Sequence, residues 1–166
     1  MSDVDDRQAG AALQEMVTAA ADAVRGRMGG ARPTIAVVLG SGMGHLADRV
    51  TQATRIPYRD IPGFPLPTVE GHGGELVVGT LAGRSVVAQS GRFHMYEGHS
   101  AQISSLAVRV LGELGVDTIL LTNAAGGIRR DLSAGSLMLL SDHVNLTARN
   151  PLVGTVLRGE QRFPDM

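Results

Sequence analysis

The apolar run Thr34-Ile35-Ala36-Val37-Val38-Leu39, followed by Gly40-Ser41-Gly42-Met43-Gly44, decides the fold class. Such a continuous run predicts a strand that is buried on both faces, as in parallel sheets covered by helices. A glycine-rich turn between that strand and a short helix near Ala47 is a place where backbone N–H groups converge on an anion. The pattern recurs in a second predicted buried strand, residues 116–122, which ends at Asn123-Ala124-Ala125-Gly126-Gly127. The sequence therefore predicts an α/β protein.

A cluster of polar side chains lies in Ser90-Gly91-Arg92-Phe93-His94-Met95-Tyr96-Glu97-Gly98-His99. It follows a predicted hairpin, in which Ala82-Gly83 joins two strands, so it emerges at the carboxyl end of a strand. Open α/β sheets bind their ligands at that end. Arg92 and His94 can both reach one small anion if the backbone between them is extended, and both are suitable donors to phosphate. The three glycine-lined strand ends form one anion site if their strands are neighbours.

The remaining pattern predicts a single domain over residues 1–166, a mixed twisted β-sheet flanked by helices. Residues 1–7 are predicted to be a disordered lead-in. Apolar residues at three- and four-residue spacing predict helices over 8–28 and 100–115. Strands are predicted over 50–56 and 137–146, with Asp142 and His143 as a buried polar pair in the latter. The proline-rich stretch between residues 57 and 74 is a long loop of the kind that is usually functional.

The composition excludes several classes of function. The net charge is −1, all fifteen basic residues are arginine, and there is no cysteine. Nucleic acid and membranes are therefore not expected as partners, and lysine- or thiol-based catalysis is excluded. No run of eighteen apolar residues occurs, and the acidic N-terminus is unlike a signal peptide. These features predict a soluble cytoplasmic protein.

Two other kinds of site are less well supported by the spacing. A dinucleotide fingerprint needs G-x-G-x-x-G, but the third glycine comes one place early, at Gly44, and His45 occupies the required position. The ribose-binding acid would be Asp60, which lies in the proline-rich loop. The five histidines show neither H-E-x-x-H nor H-x-H spacing, so no metal site is predicted.

Taken together, the motifs resemble those of the trimeric purine nucleoside phosphorylases, in order and in spacing, from about residue 33 onward. The related methylthioadenosine phosphorylases differ in the Arg92–Gly98 segment, so the resemblance favours the type that acts on inosine and guanosine. The matching stretches are 40–44, 61–65, 68–72, 91–98, 122–127, 141–146, 149–152 and 162–166.

The resemblance implies phosphorolysis of purine ribonucleosides and 2′-deoxyribonucleosides in purine salvage. The products are the free purine and ribose 1-phosphate or its 2-deoxy form. It further implies that Ser41, Arg92, His94 and the backbone amide of Ala124 bind phosphate, with His94 as the catalytic side chain. Orthophosphate is a co-substrate, and no cofactor or metal is implied.

The resemblance also implies a ribose pocket and an assembly. Tyr96 is expected to contact the ribose, and His72 to lie in a flap near the 5′ end of the sugar. Phe163 looks like the aromatic residue that a neighbouring subunit contributes to this pocket. The full-length protein is therefore expected to be a homotrimer.

The chain is about 100 residues shorter than the family pattern. The purine-holding carboxylate, the asparagine that contacts N7 and the second phosphate-binding serine belong to the C-terminal part that is absent here. Apolar surfaces that this part would cover are expected to be exposed. Two functional alternatives stay open: a phosphorylase, or a catalytically incompetent portion that only binds phosphate. The accepted base, 6-oxopurine or 6-aminopurine, is not determined by these residues.

Overall fold

The computed structural model describes residues 3–66, 74–154 and 156–161. These ranges contain three helices and five strands: one helix, four strands, two helices and a last strand, in chain order. Short 3₁₀ turns at Gly44–Arg49, Tyr58–Asp60 and Met95–Glu97 connect some of them. The helices and strands are α1 (Asp3–Arg27), β1 (Ile35–Leu39), β2 (Thr51–Pro57), β3 (Glu75–Leu81), β4 (Arg84–Ser90), α2 (Ala101–Ser104), α3 (Leu106–Glu113) and β5 (Thr118–Leu121).

The five strands form one mixed sheet in the order β2-β3-β4-β1-β5. β1 lies between β4 and β5 and is parallel to both. β3 is antiparallel to β2 and to β4. The predicted fold class, a mixed sheet flanked by helices, is confirmed. The three strands whose ends carry the predicted site are neighbours, which the sequence could state only as a condition.

The sheet has a hydrophobic cluster on each face, which explains why β1 is apolar at consecutive positions. On one face, α1 and α3 cover the sheet with the side chains of Val24 and Leu111, among others. On the other face, Val37 and Leu39 pack with Ala47 and the neighbouring strands. Because successive side chains of a strand point to opposite faces, a strand covered on both sides needs apolar residues throughout.

Two boundaries differ from the sequence-based expectations. Helix α1 begins at Asp3, so the lead-in predicted for residues 1–7 is wrong for residues 3–7, and residues 1 and 2 lie outside the described residues. Acidic residues are favoured in the first turn of a helix, where the helix dipole is positive, and the sequence there is Asp-Val-Asp-Asp. The predicted helix over 100–115 is divided at Ser105 into α2 and α3.

The predicted strand over residues 137–146 is absent, and this part of the chain is irregular and exposed. Asp142 and His143 are exposed as well, so the buried pair predicted there is wrong. A strand needs a neighbour for its backbone N–H and C=O groups, and among the described residues no strand pairs with residues 137–146. β5, predicted to be buried, is a sheet edge with most of its residues exposed. The expected exposure of apolar surface is confirmed: Leu137 is 95% exposed and Leu139 is 93% exposed.

Candidate functional site

The site is built where three parallel strands end. β4, β1 and β5 run in the same direction, so their carboxyl ends meet at one edge of the sheet. Gly40 and Ser41 follow β1, residues 91–94 follow β4, and residues 122–124 follow β5. Ligands of open α/β sheets bind at this edge. The topology therefore brings Ser41, Arg92, His94 and Ala124 to the same edge.

A threonine ties the ends of β1 and β5 together. The backbone N–H of Gly40 donates to Oγ1 of Thr122 over 2.8 Å, and that hydroxyl donates to the carbonyl oxygen of Val38 over 2.8 Å. A Cβ atom at residue 40 would lie 2.3 Å from the carbonyl oxygen of Thr122. Only glycine allows this approach. The contact fixes the exposed Ser41 beside the strand end that carries Ala124.

Buried hydrogen bonds to Gly91 fix the start of the loop after β4. Gly91 has a φ of +101°. Its carbonyl oxygen accepts from the Tyr58 hydroxyl over 2.5 Å and from Nε2 of Gln89 over 3.1 Å. Burial raises the pKa of Tyr58 well above its ordinary value, so the hydroxyl stays protonated and keeps donating.

Phe93 anchors the same loop in the core and thereby orients Arg92 and His94. Its ring meets those of Tyr58 and Phe64 edge-on, at centroid distances of 5.3 and 5.2 Å. The backbone at His94 is extended, with φ −108° and ψ 142°. In an extended segment alternate side chains share a face. Arg92 and His94 flank this buried ring in the chain, and both side chains are part-buried.

Arg92 carries an unsatisfied donor. Its Nε atom is buried and finds no hydrogen-bond partner among the described residues. A buried polar group without a partner is costly, and in native proteins such groups usually meet water, an ion or a ligand. An anion such as phosphate, accepting from the guanidinium, satisfies this requirement.

Glu97 holds His94 in place, a contact that sequence reasoning missed. Oε1 of Glu97 lies 2.7 Å from Nδ1 of His94 and also accepts from the backbone N–H of His94 over 3.1 Å. The Glu97 side chain is only 6% exposed. A carboxylate at Nδ1 favours the tautomer that carries its proton there. The sequence did contain a signal for this contact. Glu97 comes three residues after His94, and this is the spacing of a capping box, in which the two residues bond to each other.

Of the three residues predicted to form the ribose pocket, the structure describes only Tyr96. The Tyr96 ring is 76% exposed and stacks on the imidazole of His94 at a centroid distance of 4.6 Å. It thus stands next to the predicted phosphate site, although its contact with ribose stays a prediction. His72 and Phe163 lie outside the described residues, and their roles also stay predictions.

Within residues 3–66, 74–154 and 156–161, no three His, Asp or Glu side chains are grouped closely enough to hold a metal ion. In the same ranges no helix combines the length and the apolar character that a membrane span requires.

Comparison with known proteins identifies the family of this chain. A profile of the phosphorylase superfamily matches residues 34–166, which include all three strand ends. The chain belongs to the phosphorylase superfamily. Purine nucleoside phosphorylase 1 of Bacillus subtilis is 50% identical over 135 residues, which are 81% of this chain and 50% of that protein. Purine nucleoside phosphorylase of Rattus norvegicus is 49% identical over 139 residues, which are 81% of this chain and 48% of that protein.

Solved structures of the same family have the same fold. Isoform 2 of purine nucleoside phosphorylase from Schistosoma mansoni, in complex with cytosine and ribose-1-phosphate, superposes with a TM-score of 0.81 at 44% identity. The match covers 91% of this chain and 54% of that one. Schistosoma mansoni purine nucleoside phosphorylase in complex with inosine gives a TM-score of 0.82 at 42% identity, with the same coverage. The chain thus spans about half the length of the phosphorylases it matches.

Proposed function

We propose that this chain carries the phosphate-binding part of a purine nucleoside phosphorylase. The observation that carries the proposal is the convergence of three parallel strand ends on one sheet edge, where the buried Nε of Arg92 has no partner among the described residues. Ser41, Arg92, His94 and the N–H of Ala124 hold orthophosphate in this proposal. The relatives are named purine nucleoside phosphorylases, and their solved counterparts bind ribose-1-phosphate or inosine.

The reaction follows from the charge of the bound anion. A phosphate oxygen attacks C1′ of the nucleoside while the N-glycosidic bond breaks, and the bonding electron pair leaves with the purine, which then takes up a proton. The ribosyl carbon becomes positive during this step, so a phosphate fixed beside it is both counter-charge and nucleophile. Fixing a nucleophile in this way contributes up to ~7–11 kcal/mol in favourable systems, and preorganised donors add electrostatic stabilisation. His94 acts as a donor to the phosphate; orthophosphate is a co-substrate, and no cofactor is involved.

The sugar pocket and the assembly belong to the same proposal. Tyr96 lies against the ribose, His72 covers its 5′ end, and Phe163 enters the pocket of a neighbouring subunit in a cytoplasmic homotrimer that serves purine salvage. The stack of Tyr96 on His94 supports the first of these roles, since it places the phenol beside the phosphate site.

Phosphate binding by the chain tests the proposal directly. Titration with orthophosphate, followed by calorimetry or by ³¹P NMR, is expected to show one site. Arg92→Ala is expected to weaken it at least tenfold, because hydrogen bonds to a charged group contribute about 1.5–3 kcal/mol. Arg84→Ala is the matched control, since Arg84 is exposed and begins β4, at the end of the strand opposite to Arg92. Equal affinities of the Arg92→Ala variant and the parent chain would remove Arg92 from the site.

A second function, phosphate binding without turnover, is favoured by one observation: the chain spans half the length of its relatives. Release of hypoxanthine from inosine, measured with and without phosphate, separates the two. Phosphate-dependent release supports the phosphorylase. Binding of phosphate with no release supports the binding-only function for these 166 residues.

A further inference from the structure

Tyr58 is a fully buried phenol at the point where three segments of the chain meet. It follows the last residue of β2, and its backbone N–H donates to the carbonyl oxygen of Gly74, just before β3, over 2.7 Å. Its hydroxyl reaches Gly91, just after β4. A Cβ atom at residue 91 would lie 3.2 Å from the nitrogen of Gly74 and 3.6 Å from Cε2 of Tyr58. The phenol therefore links the start of the proposed phosphate loop to two other segments, and the proposed reaction gives it no step.

The carbonyl group of Gly91 determines where the backbone of Arg92 begins. Because a peptide bond is planar, the carbonyl carbon and oxygen of Gly91 lie in one plane with the nitrogen and Cα of Arg92. Gly91 has a φ of +101° and no side chain that could restrict this plane. Two donors from other residues do so instead: the Tyr58 hydroxyl, 2.5 Å from the oxygen, and Nε2 of Gln89, 3.1 Å from it.

We propose that Tyr58 is a positioning residue for phosphate binding and that Gln89 assists it. By holding the Gly91 carbonyl, the phenol keeps Arg92 in the orientation that the anion requires, although it acts only through the peptide group between them. Without the hydroxyl, the loop populates other orientations as well. The apparent affinity then falls in proportion to the fraction of chains in the binding-competent orientation. The inference rests on the proposed phosphate site and names residues on which that site depends.

The phenol suits this role because it is itself held firmly and remains a donor. Its ring meets the rings of Phe64 and Phe93 edge-on, at centroid distances of 5.2 and 5.3 Å. Burial keeps the pKa of Tyr58 far above its ordinary value, so the hydroxyl carries its proton throughout the neutral pH range. Gln89 is only 3% exposed and is fixed within β4. Both donors are thus in place before any anion binds.

Substitutions that remove each donor test the proposal by calorimetric titration with orthophosphate. Tyr58→Phe removes the hydroxyl and keeps the ring, and we expect it to weaken phosphate binding about tenfold, the effect of losing one hydrogen bond. Gln89→Met removes the longer of the two bonds and is expected to weaken binding by a smaller factor. The variant with both substitutions is expected to bind more weakly than either, because the Gly91 carbonyl then loses both donors.

Val24→Ala is the matched control for a loss of core stability. Val24 is fully buried in the same core cluster as Tyr58. It lies toward the opposite end of the sheet, since the adjacent Arg25 donates to the carbonyl oxygen of Glu113, which ends α3 ahead of the amino end of β5. We expect a lower melting temperature and an unchanged phosphate affinity. A loss of affinity as large as that of Tyr58→Phe would show that core stability in general, and not the phenol, sets the affinity.

A spectroscopic measurement tests the same link in the parent chain. The chain contains two tyrosines, Tyr58 and Tyr96, so labelling tyrosine with ¹³C at Cζ gives two NMR signals, which the Tyr96→Phe variant assigns. We expect orthophosphate to shift the signal of Tyr58, because an anion bound by Arg92 acts on the peptide group to which the phenol is bonded. Chloride at the same ionic strength is expected to leave this signal in place.

The outcomes separate this role from the proposed function. Equal phosphate affinities of Tyr58→Phe and the parent chain would overturn the role and leave the phosphate site intact. If Tyr58→Phe does not fold, the parent chain decides: a phosphate-specific shift of the Tyr58 signal supports the role, and an unmoved signal in a chain that binds phosphate overturns it. Absence of phosphate binding by the parent chain contradicts the proposed function, and the role of Tyr58 with it.

Discussion

At Gly40 the chain has room for a hydrogen atom and no more. A Cβ atom there would lie 2.3 Å from the carbonyl oxygen of Thr122 and 2.7 Å from Cα of Asn123, both of which belong to the backbone and cannot rotate away. We expect Gly40→Ala to lower the free energy of unfolding by about 2–3 kcal/mol through overpacking. Urea denaturation measures this loss. Phosphate affinity is expected to fall with it, since the contact holds Ser41 and Ala124 together.

Gly44→Ala is the control for that substitution. A Cβ atom at residue 44 meets nothing within 4 Å. An alanine at a compatible position reduces the entropy of the unfolded chain. We therefore expect the midpoint of urea denaturation to be unchanged or slightly higher for Gly44→Ala. A loss as large as that of Gly40→Ala would show that the glycine loop, and not the contact with Thr122, sets the requirement.

Glu97 is a positioning residue in the proposed site, because it touches His94 and not the phosphate. Glu97→Ala removes the acceptor at Nδ1 of His94, and we expect the phosphate affinity to fall about tenfold, the effect of a hydrogen bond worth ~1.4 kcal/mol. Glu97→Gln keeps an oxygen that can accept from Nδ1–H and is expected to restore most of the affinity. ¹⁵N NMR of the imidazole reads the tautomer directly. An unchanged tautomer in Glu97→Ala would contradict the role.

The individual site residues differ in how well the sequence predicts them. Arg92 and His94 could be selected because two phosphate-binding side chains lie two residues apart after a predicted strand. Thr122 and Tyr58 could not, since their partners Gly40 and Gly91 are 82 and 33 positions away in the sequence. Contacts of that kind depend on the strand order, which no local pattern contains.

At the scale of elements, a predicted helix or strand forms where the segments that it packs against are present. β1 and α3 were predictable because their apolar residues face clusters formed within the chain. Residues 137–146 have the same kind of sequence as a buried strand, yet they are irregular. Apolar periodicity predicts what a segment forms when it is covered, and here no described element covers it.

The segment after residue 150 is attached to α3 by an ion pair. The Arg109 guanidinium is 7% exposed and donates to Glu160, with Nε 2.6 Å from Oε1, and to the carbonyl oxygen of Pro151 over 3.2 Å. Nearby, Leu157 is buried in the main core. Burial alone would raise the pKa of Glu160, but the hydrogen bonds from Arg109 and from the backbone of Leu157 outweigh it, so the pKa lies below its ordinary value of 4.5.

The sign of the pH effect follows from that lowered pKa. The pair stabilises the fold fully above pH 4.5, and the contribution is lost as the pH falls through the lower pKa of the folded state. We expect Glu160→Gln to lower the free energy of unfolding by about 1 kcal/mol at pH 7. The difference from the parent chain should vanish in acid. Chemical denaturation at a series of pH values measures both.

Asp131→Asn provides the comparison for Glu160→Gln. Arg129 also lowers the pKa of Asp131, chiefly through a hydrogen bond, but this pair is fully exposed. Exposed pairs contribute little because water and salt screen them. We expect no measurable change in the denaturation midpoint for Asp131→Asn. If both substitutions changed the denaturation midpoint equally, burial beside Arg109 would not explain the contribution of Glu160 to stability.

At the scale of the whole molecule, one sheet carries a well-covered part and an uncovered part. β3, β4 and β1 lie in the middle of the sheet with clusters on both faces, whereas β5 forms its edge. The proposed phosphate site lies at the boundary between them, since Arg92 follows a covered strand and Ala124 follows the uncovered one. From the sequence, the convergence of these ends could be stated only on the condition that their strands are neighbours. The exposure of apolar surface was expected only because the resemblance implied a longer family pattern.

Hydrogen exchange of the chain alone should reveal this division. Slow exchange requires bonded and buried amides, and the free energy of local opening falls where backbone is exposed. We expect the amides of residues 76–78 and 86–88 to exchange only by global unfolding. Those of residues 123–150 should exchange within seconds at neutral pH, because nearly all of these residues are exposed and none lies in a helix or strand. Mass spectrometry of peptic peptides measures both ranges in one experiment. Slow exchange across residues 137–146 in the isolated monomer would show that this segment forms a strand unaided, and its apolar sequence would then need no partner.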